Sequence, residues 1–61
     1  MKGSELKAKL RKAGCYKDRE DSNHERWYSP ITKKHFLVPR HDSKEIAAGT
    51  LNKILKDAGL K

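Results

Sequence analysis

Residues 20–30 read EDSNHERWYSP, and the stretch changes character half-way along. Glu20-Asp21-Ser22-Asn23 is a run of short polar side chains that stabilise turns by bonding to nearby backbone. His24-Glu25-Arg26-Trp27-Tyr28 then alternates at the two-residue period of a strand. His24, Arg26 and Tyr28 share one face; Asn23, Glu25 and Trp27 share the other. Trp27 is the natural anchor for a core, so its face turns inward and His24 opens a strand on the wetter side.

Two further strand candidates flank this one, Cys15–Arg19 before it and Lys34–Val38 after it. In the later strand Phe36 and Val38 fall on one face, and His35 and Leu37 on the other. The first strand is too polar for its faces to be assigned. Both connections are short, and Pro30 starts the second reversal, so the three strands should form an antiparallel meander.

Helical spacing takes over outside the strands. In GSELKAKLRKAG, residues 3–14, Leu6, Leu10 and Ala13 recur at i, i+4 and i+7. Ser4 suits the N-cap, Glu5 the positive helix start, and Gly14 a left-handed stop. Lys7, Lys9, Arg11 and Lys12 read as the solvated side of this helix. In TLNKILKDAG, residues 50–59, Leu51, Ile54, Leu55 and Ala58 form a second stripe, with Thr50 as N-cap and Gly59 as stop. PRHDSKEIAAG, residues 39–49, connects the last strand to it. Two apolar helix faces covering one sheet face give a two-layer α+β domain, α-β-β-β-α, spanning residues 1–61. The expected core is Leu6, Leu10, Ala13, Trp27, Phe36, Val38, Leu51, Ile54 and Leu55.

Composition narrows the function. Fifteen Lys and Arg against eight Asp and Glu give a net charge of +7 and a pI near 9.8. Such an excess points to a polyanion, with nucleic acid foremost. No apolar run approaches the roughly 20 residues of a membrane span, and the N-terminus lacks the apolar stretch of a signal peptide. A single cysteine, Cys15, excludes an intrachain disulfide framework and suits a reducing compartment, so a cytoplasmic protein is expected. One Cys and three His at scattered spacing do not compose a zinc site, and no cofactor motif is present. Neither a nucleophile–base pair nor a glycine-rich phosphate loop can be picked out.

RNA cleavage demands less of a protein. The 2′-hydroxyl is a nucleophile already present beside the scissile phosphate; the protein must move a proton and neutralise phosphate charge. Imidazole, with an unperturbed pKa of about 6.5, fits the first task. Lysine and arginine fit the second. His24 is the candidate for proton transfer, and Arg26, Lys33, Lys34 and Arg40 are candidates for RNA binding. His35 and His41 read as bystanders.

SELKAKLRKAG at the start, SNH before the second strand, VPRH after the third and KEIAAGTLNKILKDAGL at the end follow one another as in HicA toxins. The chain resembles that YcfA/HicA-like mRNA interferase family over nearly its whole length. The resemblance implies a double-stranded-RNA-binding-domain-like fold, metal-independent cleavage of mRNA by one histidine, and neutralisation by a HicB antitoxin. Through the antitoxin it also implies an indirect contact with operator DNA. The family's catalytic histidine falls on His24. Many relatives carry Gly-Ser-His where this chain has Ser22-Asn23-His24.

The competing reading is a non-catalytic double-stranded RNA reader of the same fold. Such modules usually cluster lysines at the start of the last helix; here only Lys53 falls in its first turn.

Overall fold

The computed structural model describes residues 1–61. In chain order it contains α1 (Gly3–Lys12), β1 (Tyr16–Glu20), β2 (His24–Ser29), β3 (Lys34–Pro39) and α2 (Ala48–Ala58). The strands form one antiparallel sheet in the order β1-β2-β3. The expected α+β arrangement is the one found, with the first strand displaced by one residue.

Side-chain alternation in β2 and β3 follows the sequence pattern. Glu25, Trp27 and Ser29 are buried on the inner face of β2, while His24 is exposed and Arg26 and Tyr28 are half-buried on the other. Phe36 and Val38 are buried in β3, between exposed His35 and Leu37. Leu6, Leu10, Cys15, Trp27, Phe36, Val38, Ile46, Ile54, Leu55 and Ala58 form the core. Ala13 and Leu51 sit at its margin. Ile46 comes from the 39–49 connection, where no periodicity marks a residue for burial.

Both helices begin earlier than their expected caps. The N-cap of α1 is Lys2 rather than Ser4, and that of α2 is Ala47 rather than Thr50. Tertiary backbone bonds replace a side-chain cap at α1: the Gly3 N–H reaches the Lys44 carbonyl at 3.1 Å, and the Ser4 N–H that of Asp42 at 3.0 Å. Glu5 also accepts from the Lys2 N–H at 3.0 Å. Residues 42–46 are thereby laced to the start of α1. At the other end Gly59 takes a left-handed conformation, φ 83°, as a helix stop should.

Lys7 is not on a solvated face. It is 3% exposed, and its Nζ donates to Glu25 Oε2 at 3.2 Å, Asp42 Oδ1 at 2.5 Å and the Arg40 carbonyl at 3.1 Å. Glu25 uses its other oxygen to accept from the Trp27 indole at 3.0 Å. A buried ammonium needs acceptors, and here β2 and the connection after β3 supply them. Arg11 is exposed as expected, with its guanidinium 5.4 Å from the centroid of the Trp27 ring, within reach of a cation–π attraction.

Candidate active site and open sheet face

His24 is the first residue of β2, and its position is set by the turn before it. The Asp21 carboxylate accepts from the backbone N–H of His24 at 2.8 Å and of Asn23 at 3.0 Å. The Asp21 N–H in turn donates to the His24 carbonyl at 2.9 Å. These bonds stabilise the charged carboxylate, so the backbone N–H of His24 first, and that of Asn23 second, hold Asp21 below the ordinary aspartate value. Outside glycine, only Lys33 has positive φ. The turn at 21–23 therefore needs no left-handed residue, and Ser22-Asn23 fills it.

Arg40 closes the turn from the far side. Its guanidinium donates to the carbonyls of Asp21 and Ser22 at 3.3 and 3.4 Å and pairs with Glu20 at 3.3 Å. The Arg40 N–H reaches the Asn23 carbonyl at 3.3 Å, and its own carbonyl is the one held by Lys7. Arg40 thus stands beside His24, as its sequence motif suggested, while also fastening the turn that carries it. Glu20 is held low by a hydrogen bond from Lys17 and then by the charges of Lys17 and Arg40.

Arg26 shares the open face with His24 but is paired. Its Nη2 donates to Asp18 Oδ2 at 2.6 Å, and its Nε–H has no acceptor. Asp18 is the extra residue where the β1–β2 register shifts between Lys17 and Arg19. A bulge re-aims a side chain, and this one aims the carboxylate across the sheet. Asp18 also meets His35 Nε2 at 3.1 Å, and Arg26 first, His35 second, hold its carboxyl below the usual range.

Lys33 and Lys34 lie elsewhere. Ser29, the last residue of β2, pairs with Lys34, whereas His24 pairs with Pro39 at the opposite end. Five residues of strand separate them, roughly 17 Å. The structure brings His24 and Arg40 together, places Arg26 on the same face, and sets the two lysines apart.

A groove of about 450 Å³ runs from the open face around the edge of β3 to α2; His24, His35, Leu37, Thr50, Lys53 and Asp57 are among its lining residues. Lys53 and His35 were not marked as site residues by their position in sequence. Lys53 falls in the second turn of α2 once that helix starts at Ala48, so the first turn carries no lysine. No three His, Cys, Asp or Glu side chains converge as a metal-binding group.

The model of the HicA toxin of bacterial toxin-antitoxin systems matches residues 3–60. The chain belongs to the HicA toxin family. No curated protein and no solved structure matches it. Membership makes the chain a toxin whose activity is opposed by an antitoxin. No helix of this HicA-family toxin is long and apolar enough to cross a membrane.

Proposed function

We propose that this HicA-family toxin is an endoribonuclease that cleaves mRNA, with His24 as the general acid or base. The observation that carries the reading is the placement of His24: an exposed imidazole at a strand start, whose backbone is fixed by Asp21 and whose turn is clamped by Arg40. A group that transfers a proton must be reachable by substrate, and this turn fixes the backbone that presents the exposed imidazole.

The 2′-hydroxyl attacks the adjacent phosphorus as its proton leaves, and the 5′-oxygen departs as it gains one. His24 serves one of these transfers. Arg40, and Arg26 along the same face, supply positive charge to the crowded phosphate oxygens. Double-stranded RNA reading without cleavage is the weaker proposal, because the first turn of α2 presents no basic residue.

Inhibition by a HicB-like antitoxin is expected to involve acidic groups facing the Lys and Arg surface and covering His24, with charge complementarity speeding the encounter. Any contact with operator DNA would run through that partner.

The test is His24→Ala. The variant should unfold at the same denaturant concentration as the native chain, since the imidazole lies outside the core. It should lose RNA cleavage by about 10²–10⁴, and EDTA should leave the native activity intact. Cleavage by the alanine variant at the native rate would refute the assignment.

A further inference from the structure

The side of the sheet away from the helices carries an ordered set of side chains. Along β2 it presents His24, then Arg26, then Tyr28. At Tyr28 the set widens into a row across all three strands, because Tyr16 pairs with Tyr28 on one side and His35 on the other. Ring centroids are 5.5 Å apart for Tyr16–Tyr28 and 4.9 Å for Tyr28–His35. Tyr16 is 54% exposed, as is Leu37 at 58%. Just beyond the row lies the turn carrying Lys33, while Lys34, opposite buried Ser29, falls on the other face of the sheet.

These rings do not contribute to the core, and three aromatic side chains in one surface row need a reason. Proximity to His24 does not make His35 a second proton-transfer group. Four residues of strand separate the His24 pair from the His35 pair, about 13 Å, too far for both imidazoles to serve one phosphate. That spacing suits two groups that meet one strand at separate nucleotides. Every base offers a π-face to an aromatic ring whatever its sequence.

We infer that the open sheet face is a base-stacking track for single-stranded RNA, running from His24 over Arg26 to the Tyr16–Tyr28–His35 row and ending at the turn that carries Lys33. The inference rests on the nuclease reading and adds the substrate's form and path. The occupant is RNA because cationic residues stand at both ends of the aromatic row and the chain carries +7. The strand is single because paired bases bury their π-faces in their own stack. Asp18 is part of the device: it holds Arg26 and His35, keeping both side chains laid along the face. The track also assigns Lys33 a place. It stands too far from His24 to touch the cleaved phosphate but holds the backbone a few nucleotides away.

The experiment measures binding, apart from cleavage, in the His24→Ala background with a short mixed-sequence RNA. The strand is offered alone and annealed to its complement. Single-stranded RNA should bind more tightly, and its binding should shift the Tyr16, Tyr28 and His35 ring resonances. Tyr16→Leu should weaken single-strand binding roughly tenfold to a hundredfold, while Tyr16→Phe, which keeps the ring, should retain it. Ring shifts are read in the intact tyrosine row, so a variant that folds poorly does not block the result. Equal or tighter binding of the duplex, or unmoved ring resonances with RNA bound, would overturn the track while leaving His24 catalysis standing. If Tyr16→Leu leaves RNA binding intact and instead abolishes inhibition by the cognate antitoxin, the face is a protein-docking surface and the inference is wrong. The nuclease reading fails separately, by cleavage that survives His24→Ala.

Discussion

Where β2 begins, the chain is held by charge: Asp21 on the His24 and Asn23 amides, Arg40 on the turn carbonyls, and Lys7 behind them on Glu25, Asp42 and the Arg40 carbonyl. Where β2 ends, neutral groups do the same work. Ser29 Oγ donates to the Ala58 carbonyl at 2.7 Å and accepts from the Ile31 N–H at 3.2 Å. Thr32 Oγ1 donates to the Asp57 carbonyl at 2.6 Å. The β2–β3 turn is thereby pinned to the last turn of α2, with Gly59 packed against Ile31. The charged end carries His24, and the neutral end ties the sheet to the last turn of α2. Hydroxyls can pin a turn at any pH; ionised groups can also present charge to a polyanion, at the cost of depending on protonation.

The largest effect should come from removing the cation behind the charged end. Lys7→Ala leaves the Glu25 carboxylate buried without its partner and is expected to cost about 3–5 kcal/mol, read as a fall in the denaturant midpoint. Lys7→Met with Glu25→Gln should recover much of the loss, because glutamine still accepts from Trp27 and the one charge left without its partner, Asp42, is exposed. A Lys7→Ala variant within 1 kcal/mol of native, roughly the worth of an exposed pair, would show that the network is dispensable.

Ser29→Ala tests the other end. It strands the buried Ala58 carbonyl and should cost about 1–3 kcal/mol. The amide resonances of Asn23 and His24 should not move, since the two ends share no bond. Movement there would mean that the ends are coupled through the strand. Lys33 offers a smaller test. It sits at φ 58°, a conformation that suits glycine, so Lys33→Gly should raise stability by about 0.5–1 kcal/mol while weakening RNA binding across sequences alike. Unchanged affinity would remove Lys33 from the proposed track.

How much of this was legible in the sequence differs between the two ends as well. Period-two alternation placed His24 opposite Trp27, and it held because β2 is flanked on both sides and covered on one face. Lys7 was missed because helical spacing identifies apolar stripes, and a lysine beside Leu6 looks like the edge of a solvated face. A signal did exist: Glu25 shares the inward face with Trp27, and an inward carboxylate calls for a cation. Ile46 and the true helix starts were illegible for another reason. They depend on residues 42–46 crossing to α1, a tertiary contact that no local pattern encodes. The aromatic row was hidden by β1, whose bulge at Asp18 breaks the alternation that would have set Tyr16 beside Tyr28.

The smallest effect separates the ends by acid. Asp18, Glu20, Asp21 and Asp42 all have carboxyls held below their ordinary values, and all four belong to β1 or to the network around His24. For a depressed carboxyl the sign is fixed: its contribution is complete above the unfolded value, about 3.9 for aspartate, and fades as pH falls toward the lower folded value. Each group is exposed, so each contribution is modest and screened by salt. Ser29, Thr32 and Gly59 do not titrate in this range. As pH is lowered from about 5 through 3 at low salt, the Asn23 and His24 amide resonances should therefore move toward unstructured positions before those of Ile31 and Thr32. Asp21→Asn sharpens the result, because its amide oxygen can still accept from both N–H groups but carries no proton to gain. In that variant the early movement at Asn23 and His24 should shrink. If native Asn23 and Ile31 shift together over the same pH range, acid is unfolding the whole chain at once, and the two ends do not differ as their bonding implies.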